Sequence, residues 1–114
     1  MTLRIYQTWR SAAAAAGLCA MAACAQAIAD APEPSRIVIK SFMFSPASLS
    51  VAVGATVTWA NMDDEPHTVV SESGLFRSGA IDTRESFSFK FDKPGTYHFA
   101  CSLHPQMIGT VVVQ

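Results

Sequence analysis

The chain has almost no cysteine to pair. Three are present, Cys19, Cys24 and Cys101, and the first two lie in a segment that reads as a leader. One thiol then stands alone, which excludes the disulfide framework usual in small exported domains. Clustered basic residues are also missing. Eight Lys and Arg are scattered against nine Asp and Glu, for a formal net charge of −1, so no nucleic-acid footprint is expected. No segment beyond the leader is apolar for long enough to cross a bilayer. Helical periodicity of useful length, internal repeats and Met- or His-rich tracts are absent as well. No base pairs with Cys101 along the chain as a cysteine hydrolase requires, so an enzyme is not expected.

The first stretch is read as a signal peptide over residues 1–29. Arg4 and Arg10 supply its positive start, and Ser11 to Cys24 is an Ala-rich apolar run too short to span a membrane. Ala25-Gln26-Ala27 and Ala27-Ile28-Ala29 both offer small-x-small cleavage sites. Export to a bacterial periplasm follows. A second reading makes Cys24 a lipidated residue, since Met21-Ala22-Ala23-Cys24 loosely resembles a lipoprotein processing site. Residues 30–35 form a short Pro-rich linker, and residues 36–114 one domain. The mature chain keeps about 85 residues, near the lower end for a core that stands alone. It is expected to be a monomer.

What is there reads as short strands. Ile37 and Ile39 alternate, then Leu49, Val51 and Val53, then Val57 and Trp59. His67 to Val70 is a fourth apolar run, Phe87, Phe89 and Phe91 a fifth, Tyr97 to Cys101 a sixth, and Thr110 to Val113 a seventh. Gly54 and Lys93-Pro94-Gly95 mark turns. Ser71 to Glu85 is polar and aperiodic, hence loop. Seven to eight short strands point to an all-β fold, a Greek-key antiparallel sandwich of two sheets.

The chemistry concentrates in Cys101-Ser102-Leu103-His104-Pro105-Gln106-Met107. A thiolate, an imidazole and a thioether recur at three-residue intervals. A strand cannot put residues three apart on one face, and Pro105 opposes further ladder pairing. The chain must turn after Cys101 and fold His104 and Met107 back toward the sulfur. One Cys, His ligands and a weak axial Met form the set that suits a blue-copper electron-transfer site. The second His has one serious candidate, His67, which a sandwich can bring to the same end. His98 sits on the opposite strand face from Cys101 and is not expected to be a ligand.

Several motifs resemble the cupredoxins, the small blue-copper proteins. They are Phe44-x-Pro46, Gly54-x-x-Val57-x-Trp59-x-Asn61, Pro66-His67, Phe76-x-Ser78-Gly79, Pro94-Gly95-Thr96-Tyr97 and Cys101-x-x-His104-Pro105-x-Met107-x-Gly109. They cover nearly all of the mature chain. The short ligand loop looks most like amicyanin; the plastocyanin pattern has two more residues between the His and the Met. The resemblance implies one copper ion held by His67, Cys101 and His104, with Met107 axial, and electron carriage between redox proteins such as a c-type cytochrome or a periplasmic dehydrogenase or oxidase. Thr68 departs from the family, which commonly has Asn after the first ligand His to tie the two ligand loops together.

Two other functions compete. Copper delivery is disfavoured by the lack of Met- or His-rich tracts, and a structural zinc domain by the single cysteine. Pro66, Leu103, Pro105 and Ile108 are expected to form an apolar docking patch around His104. Asp63-Asp64-Glu65 either steers a basic partner or is an ordinary solvated loop. The short loop further implies that His104 can protonate and leave reduced copper at mildly acid pH.

Overall fold

The computed structural model describes residues 35–114, together with Gly17. The leader, its cleavage sites, the alternative lipidation at Cys24 and the linker before Ser35 lie outside the described residues. No helix among these residues is long and apolar enough to cross a membrane.

Eight strands run in order: β1 (Ser35–Lys40), β2 (Met43–Ser45), β3 (Ser48–Val51), β4 (Thr56–Asn61), β5 (Val70–Ser71), β6 (Ser86–Lys90), β7 (Gly95–Ala100) and β8 (Ile108–Val113). They form two four-stranded sheets, β2-β1-β4-β6 and β3-β8-β7-β5. The all-β sandwich expected from the alternation is what forms. Its sheets are mixed: β1 runs parallel to β4, and β3 parallel to β8, while the remaining pairs are antiparallel. Parallel neighbours need a crossover connection, a long-range matter that alternation does not encode.

Period two decides which side chains turn inward. Ile37 and Ile39 of β1, Val57 and Trp59 of β4, Phe99 of β7, and Val111 and Val113 of β8 are all buried. Trp59 is fully buried and central. The rings of Phe76, Phe87 and Phe99 lie 5.5, 5.8 and 5.3 Å from it, Phe99 edge-on. Each large aromatic buries about 150–250 Å², which at about 25 cal/mol per Å² contributes about 4–6 kcal/mol before entropy is charged against it. Gly109 of β8 faces Phe99 in the β7–β8 register. A Cβ there would come within 2.4 Å of the Phe99 ring, so only glycine lets that ring reach the centre.

Three local differences from the sequence reading matter. β2 was not expected, because no turn signal separates it from β1. Strand β3 ends at Val51, and Val53 is 42% exposed just before the tight turn at Gly54, whose φ is 88°. The run from His67 to Val70 is mostly not strand: His67 makes an isolated bridge to Ile81, and β5 begins only at Val70. The aperiodic segment after it folds back on this run, with Ser78 N donating to Val69 O and Ser78 Oγ accepting from Val69 N.

Candidate metal centre

Both candidate loops leave the ends of well-packed strands. At the end of β4, Asn61 is fully buried. Its Nδ2 donates to Glu65 O and Ile81 O, each at 2.8 Å, and its Oδ1 accepts from Asp63 N at 2.9 Å. One side chain thereby satisfies two backbone groups of the 61–67 loop and one of the segment beside it, as buried polar groups require. His67 is locked from both sides, its N–H donating to Ile81 O and its carbonyl accepting from Ile81 N. At the end of β7, the second loop closes on itself: Cys101 N donates to Met107 O at 3.1 Å and Met107 N to His104 O at 2.9 Å. The turn after Cys101 that the spacing demanded is therefore present.

The two loops meet. His67 Nδ1 and His104 Nδ1 each lie 3.8 Å from Cys101 Sγ, and the three donor atoms all fall within 4.8 Å of one another. An ion bonded to sulfur at about 2.3 Å and to imidazole nitrogen at about 2.0 Å would hold N and S about 3.7 Å apart at trigonal angles of about 120°. The observed separations match. His67 and Cys101 are buried, and His104 is partly exposed. Met107 is also buried, at the far end of the same loop. His98 behaves as period two required: it is exposed and bonded through Nδ1 to Thr110 Oγ1 at 3.0 Å.

The electrostatics favour a metal-ready state. Burial opposes ionisation of Cys101, but the Thr68 N–H, the two imidazoles and the Leu103 N–H outweigh it and hold the thiol down at about 6. The thiolate is the form that binds metal. On the other side of His67, Nε2 lies 2.9 Å from Asp63 Oδ2. That contact orients the ring, with Nε2 toward the carboxylate and Nδ1 toward the sulfur. Asp63 itself is ionised below the ordinary carboxylate range. Burial works against its charge, and the N–H groups of Phe42 and Ser41, with His67, more than offset it.

Asp63 corrects the sequence reading. The sequence groups it with Asp64 and Glu65 as an acidic run, yet it points inward and is only 7% exposed. Asp64 and Glu65 alone remain on the surface. The signal that could have found it is its place four residues before His67. Phe42 was also missed: its ring stands edge-on to His67 and His104 at 5.4 and 4.9 Å. Thr68 does tie the loops, as the Asn usual at this place does. Its Oγ1 accepts from Ser102 N at 2.8 Å, pairs with Ser102 Oγ at 2.7 Å and stands 3.8 Å from Cys101 Sγ, while Thr68 N donates to that sulfur at 3.4 Å.

Known proteins agree with this architecture. Residues 11–113 match the Cupredoxin-like domain family. Amicyanin-alpha of Methylorubrum extorquens is 34% identical over 113 residues, covering 90% of this chain and 95% of that protein. Plastocyanin of Scenedesmus fuscus is 36% identical over 87 residues, 65% of this chain and 89% of its own. Among solved structures, the Cu(I) form of an amicyanin mutant superposes with a TM-score of 0.68 at 31% identity, covering 71% of this chain and 82% of that one. A purple cupredoxin from Nitrosopumilus maritimus gives 0.66 at 34% identity, covering 70% and 99%. With the match spanning nearly its whole length, and the buried His–Cys–His cluster at one end of an all-β sandwich, this chain belongs to the cupredoxin-like family.

Proposed function

We propose that the protein is an exported, periplasmic electron carrier that binds one copper ion through His67, Cys101 and His104, with the thioether of Met107 as a weak fourth donor. The observation that carries this reading is the convergence of two imidazole Nδ1 atoms on one thiolate sulfur, each at 3.8 Å. Bound there, copper would cycle between Cu(I) and Cu(II) and so take up and release one electron. The soft sulfur ligands suit the first state and the imidazoles the second.

The chain's own residues make such cycling easy. Asp63 orients His67, and Thr68 with Ser102 ties the loop of His67 to the loop of Cys101. Donors held this way move little when the charge of the site changes. His104 is the exposed ligand, with a quarter of its side chain open to solvent, and it is the natural point of electron entry and exit. Leu103 and Ile108, 53% and 68% exposed, flank it with Pro66 and Pro105 as an apolar docking surface for a redox protein. Asp64 and Glu65 would steer a partner of opposite charge, with Asp63 taking no part.

The test is a titration of the purified, reduced, metal-free protein with copper(II). An intense blue thiolate charge-transfer band at one equivalent, lost in Cys101→Ala, is expected. Reversible one-electron voltammetry, with the ion kept in both states against a competing chelator, then separates a carrier from a copper-delivery protein, which would hand the ion to an acceptor. A colourless complex sinks the reading.

A further inference from the structure

The turn joining β1 to β2 violates the rules of its own geometry. Lys40 pairs with Met43, so the hairpin loop is the two residues Ser41 and Phe42. Both have positive φ, 52° and 58°, as a type I′ hairpin turn demands, and such turns strongly favour Asn-Gly. A bulky aromatic residue in this region is a true outlier. Strain of this kind persists only where the surroundings over-determine it, and it clusters at functional sites.

Here the surroundings are a single carboxylate. Asp63 Oδ1 accepts from Ser41 N at 2.7 Å, and Asp63 Oδ2 accepts from Phe42 N at 2.9 Å. The same Oδ2 faces His67 Nε2. One buried side chain therefore holds both the strained turn and a metal donor. The Phe42 ring gains little from burial, being 41% exposed. Its aromatic partners among the described residues are His67 and His104, met edge-on at interplanar angles of 86° and 79°.

The two imidazoles are secured unequally. His67 has the close Asp63 contact on its far nitrogen. His104 Nε2 has only Glu65 Oε2 at 3.9 Å, a carboxylate whose side chain is 60% exposed. The His104 ring otherwise meets the Phe42 ring edge-on at 4.9 Å and the His67 ring at 5.0 Å. We propose that Phe42 is a positioning residue: an aromatic clamp across both donor imidazoles, kept in a strained hairpin turn by Asp63. It holds His104 in place and excludes water from that edge of the centre. This inference rests on the copper-carrier reading above. A thiolate with Cu(II) carries one more positive charge than with Cu(I), and water stabilises the more charged state. Exclusion of water therefore raises the potential, as an apolar shell is able to do.

The test uses copper-loaded parent protein, Phe42→Gly and Phe42→Leu. Glycine suits the turn's backbone, so Phe42→Gly removes strain and ring together. Expected for it are a metal-free melting temperature equal to or above the parent's, loss of reduced copper to a competing chelator about tenfold faster, from two lost edge contacts, and a lower potential. A ring that merely fills space would give the opposite stability result and leave the potential alone. Phe42→Leu keeps the strain and part of the cover; a smaller shift in the same directions is expected, and it decides the matter if the glycine variant does not fold. Release rate and potential both unchanged in the folded variants overturn the clamp. A parent that never turns blue sinks the copper reading and the clamp with it, so the two failures are distinguishable.

Discussion

The Oδ2 atom of Asp63 stands 2.9 Å from Nε2 of His67, while the same carboxylate accepts the N–H groups of Ser41 and Phe42. A residue that reads as part of an acidic surface run is thus the hidden support of the candidate centre. It orients the imidazole, and it joins the β1–β2 turn to the loop after β4.

Replacing Asp63 tests that support. Asp63→Asn keeps the shape but removes the charge, and copper affinity is expected to fall about 10- to 100-fold, read by competition with a chelator. Asp63→Ala also strands the two turn N–H groups, at about 2–3 kcal/mol of stability in urea denaturation. The folded carboxyl titrates below its ordinary value. Its contribution to stability is therefore complete above about pH 3.9, the unfolded value, and is lost as the pH falls through the folded one. Asp63→Asn should flatten that acid limb in the metal-free protein.

The thiol of Cys101 is expected to titrate near pH 6 in the metal-free protein, against about 8.5 for a free cysteine. The ultraviolet absorbance of the thiolate, followed from pH 4 to 10, measures it. Because the folded value is depressed, this group stabilises the fold fully above the unfolded pKa, and that stabilisation disappears as the pH drops through about 6. A midpoint above 8 would show that the imidazoles and the Thr68 N–H do not face the sulfur as described.

Thr68 supplies the sulfur's neighbourhood with a hydroxyl as well as an N–H. Thr68→Val removes the hydroxyl, leaves the Ser102 N–H without its acceptor and spares the Thr68 N–H bond. Hydrogen bonding around the cysteine sulfur tunes the potential of such sites, and donors favour the reduced state, in which the sulfur carries more charge. A lower potential is expected by voltammetry, with Thr68→Ser recovering most of the parent value.

Gly109 offers a test of the core apart from the centre. Gly109→Ala drives a methyl group into the Phe99 ring, whose neighbours Trp59 and Phe44 lie edge-on at 5.3 and 4.8 Å. Overpacking of this kind costs about 1–3 kcal/mol. A fall in the denaturation midpoint at constant slope is expected.

Alternation made most strands legible in advance, because inward and outward faces repeat locally every two residues. Ile37 and Ile39, Val57 and Trp59, and Phe99 and Cys101 fall where that rule puts them. β2 escaped it, since three residues are too few for a period and Ser41-Phe42 carries none of the usual turn chemistry. The parallel pairing of β1 with β4 and of β3 with β8 escaped it too.

The clustering of His67, Cys101 and His104 was readable from spacing and residue type: a lone thiol followed by His104 three residues on, with one further histidine suited to join them. These are local chemical facts, and local rules suffice for them. Whether Asp63 faces water or His67, and which ring lies across the imidazoles, depended on hydrogen bonds and contacts between residues about 20 to 60 positions apart, such as Ser41 to Asp63 and Phe42 to His104. A loop residue has no periodicity to declare its direction. Only the folding of two sheets against each other brings its partners near and selects which way it turns.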